Sequence, residues 1–406
     1  MPVVHTVHRP YYGDVFSKEK THYYPVLWTD PVRRNTVKLR AERAEFAEAV
    51  SWATRTVGAR VTLPALSGIL LEAGDGKLTC RATDLEVAAE ISIPVQIDQP
   101  GTALLPGRLL SQLVARFPDA PVQLSGDGDR VEISCGRANF KVRGMQAEDF
   151  PSLAGPAPGA AQGVVKADAF ARLVSQVARA ASNDEGRPVL TGVQLEAADG
   201  RLTAAATDSY RLAVRSLAWE EAVDGSALVP ARSLQEAAKA AGEVGGAVTM
   251  VLEDGQVSFL FGDRRLTTKL IEGSFPNYSA LLPDAHETAV VVERAALAEA
   301  LQRVAIVAMG QANTPVTLTF GDGSVDLAAT NQEMGDAAEA LPAEVEGEGL
   351  SIAFNPTFLL AGLEATGTEQ VRIELRDGLK PAVLRPHSAD GDVDDLTYLL
   401  MPMRVS

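Results

Sequence analysis

A chain of 406 residues is longer than one hydrophobic core supports, so several domains are expected. Hydrophobic residues make up 46% of it, yet no apolar run approaches the ~20 residues of a membrane span, which excludes both a disordered chain and a helical membrane protein. The net charge of −16 argues, taken alone, against a nucleic-acid binder, and two cysteines, Cys80 and Cys135, are too few for a disulfide framework.

Residues 1–36 differ from the rest. They hold four of the seven tyrosines, three of the five histidines and no sustained period. They read as a disordered extension or a start site placed too early. His5, His8 and His22 have no rigid element to hold them as metal ligands. The order of a signal peptide is absent, and the low cysteine content fits a reduced cytoplasm.

From residue 37 the pattern is one of helices alternating with short strands. Phe46, Val50, Ala53 and Val57 share a face of a helix predicted over 40–60. A hairpin follows, with its turn at Asp75-Gly76, and then Ala82-Thr83-Asp84. A second helix is predicted over 107–117, opened by Pro106, and further strands turn at Asp127-Gly128. The same order then recurs. Phe170, Val174, Val177 and Ala181 mark a helix over 166–187, Asp199-Gly200 a turn, Ala206-Thr207-Asp208 a strand end, and 231–243 a helix. It recurs again with Leu297, Leu301, Val304 and Ala308 (helix 293–303), Asp322-Gly323, Ala329-Thr330-Asn331 and a helix over 355–366.

The leading aspartates, Asp75, Asp199 and Asp322, lie 124 and 123 positions apart. That period exceeds the ~20–50 residues of solenoid repeats and matches a whole domain. The expectation is an α+β chain of three repeated domains, 37–158, 159–285 and 286–406, each with two helices packed on antiparallel sheets.

Motifs for chemistry are missing. There is no phosphate-binding Gly-x-x-x-x-Gly-Lys-Ser/Thr loop, no Gly-x-Gly-x-x-Gly opening a helix, no Cys-x-x-Cys and no His-Glu-x-x-His. No metal or cofactor is expected. The acidic run Asp390–Asp395 lacks the glycine and glutamate of an EF-hand loop and reads as a solvated loop. The Thr-Asp pairs read as side-chain bonding in turns. An enzyme built on Asp84 and Asp208, and a monomeric scaffold that ignores DNA, remain open as alternatives. The predicted helices carry a small basic excess within an acidic chain, including Arg60, Arg108, Arg116, Arg172, Arg179, Arg187, Arg232, Lys239 and Arg303. Such a surface could touch phosphates without reading bases.

The C-terminal run Tyr398-Leu399-Leu400-Met401-Pro402-Met403-Arg404-Val405 is distinctive. So are Ala206-Thr207-Asp208-Ser209-Tyr210-Arg211-Leu212-Ala213 and Phe275-Pro276-Asn277-Tyr278. With the threefold repeat, these make the chain resemble the beta sliding clamp of bacterial DNA polymerase III over about residues 37–406. The resemblance implies a head-to-tail homodimer closed into a ring of six clamp domains, with helices lining a hole for duplex DNA. It implies a non-enzymatic processivity factor of the cytoplasm, associated with the nucleoid. Its partners would be double-stranded DNA, the polymerase III catalytic subunit, a clamp loader, and other polymerases and repair proteins carrying clamp-binding peptides.

By the same resemblance a peptide pocket is built from Leu190, Thr207, Tyr210, Arg211, Leu212, Pro276 and Leu281, with Leu399, Met401, Pro402, Met403 and Arg404. Asn355, Phe358, Leu379 and Pro381 adjoin it. Tyr210 stands where the family has histidine, Phe358 where it has tyrosine and Pro381 where it has serine. A charge placed at Met403 or Leu212 is expected to abolish peptide binding and leave the ring intact. DNA contact is expected from Arg60 and Arg116, and from Arg179, Arg187 and Arg232 by their place on the helices. Phe140 and Val142 on an edge strand, and Ile306 and Val307 at a helix end, are the expected dimer interface.

Overall fold

The structure is a computed structural model that describes residues 36–58, 63–127, 129–153, 155, 160–219, 224–308, 314–391 and 393–404. These residues belong to one compact unit, Val32–Ser406. Among the described residues six α-helices occur in pairs: α1 (Arg43–Thr54) with α2 (Gly107–Val114), α3 (Ala167–Val177) with α4 (Ala231–Val244), and α5 (Arg294–Ala308) with α6 (Pro356–Thr366). The remaining regular structure among the described residues is antiparallel strand and short 3-10 turns.

The hairpins form where the aspartate-glycine pairs predict them. Asp75-Gly76, Asp199-Gly200 and Asp322-Gly323 all take positive φ at both positions, from 48° to 76°. That twist suits a two-residue turn between right-handed strands, and only glycine adopts the second conformation without cost. Gly128 lies outside the described residues.

Each first helix of a pair lays its apolar face on its own hairpin. Phe46, Val50 and Ala53 of α1, Phe170, Val174 and Val177 of α3, and Leu297, Leu301 and Val304 of α5 are all buried. Helix ends differ from expectation in several places: α2 stops at Val114 and not at 117, and α5 runs on to Ala308 past 303. Residues 40–60 do not form one helix: Thr36–Ala41 is a strand, and α1 stops at Thr54. Helix 166–187 is also too long. After Val177 a single 3-10 turn, Ala178–Ala180, leads into a loop in which Asp184 Oδ1 accepts from Gly186 N and Ser182 N donates to Leu190 O. Ala181 is buried although the helix has ended, so the apolar period outlasts the helix.

Four sheets result, and two of them cross from one repeat to the next. In an eight-stranded sheet the strand Val87–Pro94 pairs with Arg264–Lys269, setting Glu90 opposite Arg265. In a nine-stranded sheet Arg211–Ala218 pairs with Leu396–Leu400, setting Leu212 opposite Leu399. The other two sheets, of five and four strands, stay within the first and third repeats.

Arginines lock both crossings. At the first, Arg265 donates to Glu90 at 3.0 Å, Arg81 reaches Glu90 and Glu72, Arg264 reaches Glu48, and Arg55, just past α1, pairs with Glu243 of α4. Trp52 lies between the Arg55 and Arg264 guanidiniums, 5.1 and 5.3 Å from its ring centre. At the second, Arg215 donates to Asp394 at 2.6 Å and to Gln176, whose amide donates to Ala365 O at 2.8 Å. Arg179, in the 3-10 turn after α3, pairs with Glu364 of α6 at 2.9 Å. These ties and the shared sheets knit the repeats into one unit.

Candidate functional site

The Thr-Asp pairs build the same turn three times. Asp84 Oδ1 accepts from the backbone of Glu86 and Val87, Asp208 Oδ1 from Tyr210 and Arg211, and Asn331 Oδ1 from Glu333 and Met334. This is side-chain capping of a turn, as the sequence suggests, and it gives these carboxylates a structural task. In the second copy the arrangement goes further. Asp208 Oδ2 also accepts from Arg211 Nε at 2.9 Å, with both side chains largely buried.

Arg211 is thereby aimed at the ring of Phe358, its guanidinium carbon 4.5 Å from the ring centre. Tyr210, 59% exposed, stacks on the same ring. Phe358 is fixed from below. Asn355 caps α6 by accepting from Thr357 N and Phe358 N, and Tyr398 donates from its hydroxyl to Phe358 O at 2.9 Å. Burial pushes the Tyr398 phenol up to about 12, so it stays a donor. Gly362 lets α6 approach Tyr398 this closely, since a Cβ there would lie 2.6 Å from the ring.

The C-terminal residues tie onto the same region. Met401 N donates to Tyr210 O at 2.9 Å and Met403 N to Ala353 O at 2.7 Å, so the tail straps the second repeat to the third. Met401 is 41% exposed, Pro402 and Met403 are half-buried and Arg404 is exposed. Leu190 and Thr207 are buried, and Thr207 donates to Arg211 O at 2.7 Å. Leu281 and Pro276 are exposed nearby in sequence on the connection to the third repeat. Tyr210 and Arg211 thus both lie against Phe358, with Met401 tied to Tyr210 and Met403 to Ala353. Mobile thioethers beside fixed aromatic rings suit a short apolar peptide.

Three more of the expected pocket residues differ in exposure and surroundings. Leu212 is 1% exposed and faces Leu399 inside the ladder that joins the repeats. A charge there would break the joint, so the expectation that its replacement leaves the assembly intact is corrected. Leu379 is 77% exposed in a turn held by Asp377. Pro381 lines a polar cavity of about 220 Å³ with Pro283, His286, Glu374, Arg376 and Arg385. Asp208 and Tyr398 hold Arg211 and Phe358 in place but were not among the expected residues. The buried polar pattern they complete joins positions 190 residues apart, which spacing does not reveal.

The expected DNA-contacting arginines divide. Arg60 lies outside the described residues. Arg179 ties the turn after α3 to α6, and Arg187 pairs with Asp184 at 3.0 Å in a loop beyond the helix. Arg116 and Arg232 are exposed, Arg232 on the first turn of α4 and Arg116 just past α2, its side chain donating to Gln112 O at 3.3 Å. Of the expected interface residues, Phe140 is half-buried against Phe117 on the edge strand Ala138–Arg143, Val142 is buried, Ile306 is 62% exposed and Val307 is half-buried. No helix among the described residues is long and apolar enough to cross a membrane.

Comparison with known proteins accounts for nearly all of the described chain. Family models of the DNA polymerase III beta subunit match in order: the N-terminal domain at residues 37–154, the central domain at 164–277 and the C-terminal domain at 279–404. A beta sliding clamp of Streptomyces coelicolor is 40% identical over 380 residues, covering 91% of this chain and all of that one. A beta sliding clamp of Synechocystis is 33% identical, with 91% and 100% covered. Among solved structures, a sliding clamp of Bacillus subtilis superposes with a TM-score of 0.87 at 26% identity, covering 91% of this chain and 100% of that one. One from Pseudomonas aeruginosa, solved with griselimycin bound, gives 0.84 at 30% identity with the same coverage.

Proposed function

Because this chain belongs to the DNA polymerase III beta subunit family, the beta sliding clamps, we propose that it encircles duplex DNA as a head-to-tail homodimer and tethers other proteins there. The observation that carries this reading is the unfinished sheet at each end of the chain. Among the described residues, the third repeat has an edge strand paired on one side only, Gly335–Pro342, and the first has another, Ala138–Arg143. A second copy pairing edge to edge closes a ring of six domains and removes both edges. Phe140, Val142, Ile306 and Val307 lie at that joint. The domains are taken as 37–158, 159–285 and 286–406, preceded by an N-terminal extension, 1–36.

The tethered partner inserts a short apolar peptide into the cleft of Tyr210, Arg211, Phe358, Met401 and Met403, with Leu190 and Thr207 beneath. Only one of the three repeated joints is suited to this. The turn positions equivalent to Tyr210 hold Glu86 and Glu333, and the helix positions equivalent to Phe358 hold Leu109 and Ser233. Partners are the polymerase III catalytic subunit, a clamp loader, and other polymerases and repair proteins. Tethering acts through effective concentration, so the protein needs no reaction of its own. DNA is held loosely by Arg60, Arg116, Arg232 and neighbouring basic side chains, and the acidic remainder discourages other contacts. The site of action is the cytoplasm at the nucleoid.

Binding of a fluorescent clamp-binding peptide, with Met403→Asp as control, tests the tethering half of the reading. Saturable binding that Met403→Asp removes, with the melting temperature unchanged, is expected. Equal affinity for both proteins would place the peptide elsewhere.

A further inference from the structure

The cavity of about 220 Å³ on the third repeat adjoins the peptide cleft, and the strand ladder puts it there. Ala382 faces Leu400 on the neighbouring strand, so Pro381 and Met401, the next residues outward, stand side by side. Met401 is tied on its other side to Tyr210. Pro381 is also a wall of the cavity, so the cleft and the cavity share a border. Residues 283–286, on the connection between the second and third repeats, form the opposite wall. That segment is pinned on both sides. The Tyr278 hydroxyl donates to Glu196 at 2.8 Å, and Glu287 N donates to Leu375 O at 2.9 Å.

The cavity is polar where the cleft is apolar. Glu374 comes from the strand Gln370–Leu375, Arg376 from just past it, and Arg385 from the strand Ala382–His387. Both oxygens of Glu374 are engaged, Oε2 by Arg385 Nε at 3.1 Å and Oε1 by Arg372 Nε at 3.4 Å. Arg376 has one ion pair among the described residues, with Glu287 at 3.8 Å. Both of those side chains are more than half exposed, and such a pair contributes little. Asp284 is the remaining carboxylate of the lining, and it stands on the exposed connection. Guanidinium donors at the wall therefore exceed the carboxylates that face them.

Resting on the peptide reading above, we infer that this cavity is an annex of the cleft and takes a carboxylate side chain of the bound peptide at Arg376, with Arg385 further along the same wall. A planar guanidinium presents paired N–H donors that match a carboxylate. The ladder also sets the spacing. Glu374 faces Val383, so Arg376 comes level with Pro381, and Met401, Pro381 and Arg376 occupy one row across three strands. Strands lie ~4.8 Å apart, so that row spans ~10 Å from Met401 to Arg376, the reach of about three extended residues at ~3.3 Å each. The acidic residue thus stands about three positions from the peptide residue that contacts Met401.

The full chain and one fluorescent peptide test this. The peptide that binds the cleft is made with glutamate, alanine or lysine about three positions before or after its apolar residues. At low salt one glutamate form is expected to bind about 3- to 5-fold tighter than its alanine form, and the lysine form more weakly than both. The differences should shrink as salt screens the charges. In Arg376→Ala, with an unchanged melting temperature, the three forms should bind alike, and Arg376→Glu should prefer the lysine form. Equal affinity for the three forms in the unsubstituted chain, or an unaltered glutamate preference in Arg376→Ala, overturns the annex and leaves the cleft standing. A lysine preference in the unsubstituted chain overturns the carboxylate assignment in favour of Asp284. Failure of every form to bind overturns the peptide reading itself.

Discussion

Tyr210 and Phe358, from different repeats, stack with ring centres 6.2 Å apart and planes 25° apart, and Arg211 lies against the same Phe358 ring. The cleft wall is therefore assembled only when the two repeats are joined. Losing an aromatic pair costs ~0.5–1.5 kcal/mol beyond area, so Tyr210→Ala is expected to weaken peptide binding several-fold. Phe358→Ala also removes the seat of Arg211 and is expected to weaken it further. Fluorescence anisotropy with one labelled peptide measures both, and equal, unchanged affinities would contradict the assignment.

Leu212 and Met403 separate packing from recognition. Leu212→Asp places an unpaired charge in the ladder opposite Leu399 and is expected to lower the melting temperature strongly. Met403→Asp, at a half-buried position, is expected to abolish peptide binding with little change in melting. Calorimetry beside a binding isotherm distinguishes the two, and similar thermal losses in both would refute the distinction.

Asp394 neutralises Arg215, whose side chain is 6% exposed. Asp394→Ala strands that guanidinium and is expected to cost roughly 3 kcal/mol, the lower end for a broken buried pair because Asp394 itself is partly exposed. Urea unfolding gives the value. A change below about 1 kcal/mol would rank the pair with surface ion pairs.

Cys80 is fully buried, and burial pushes its thiol from 9.0 up to about 12. Neither cysteine is expected to react with a thiol reagent at pH 8 until the chain is unfolded, when both should. The raised value favours the protonated form in the fold, so this group's contribution is intact below pH 9 and is lost as pH rises toward 12. Rapid labelling of the folded protein would show that the core around the Lys77–Thr83 strand opens.

Much of the fold was legible because it rests on local chemistry said three times. Asp75-Gly76 and its two copies specify a turn through backbone conformation alone. The apolar spacing from Phe46, Phe170 and Leu297 specifies helices. What was not legible depends on partners distant in sequence. The period through Ala181 continues after α3 has ended, because a buried loop residue satisfies it as well as a helical one. Arg179 sits on a helix like a DNA contact but points to Glu364 in the next repeat, and Leu212 sits within a recognition motif but faces the joint. A motif places residues near a site; only the pairing of strands decides which of them line it.

The most direct test of the central claim is retention on DNA after loading, on closed circles and on the same circles cut once. A ring that threads the duplex stays on circles and runs off the cut ends, and the difference persists at salt concentrations that screen phosphate contacts. Equal loss from circular and cut DNA would contradict encirclement.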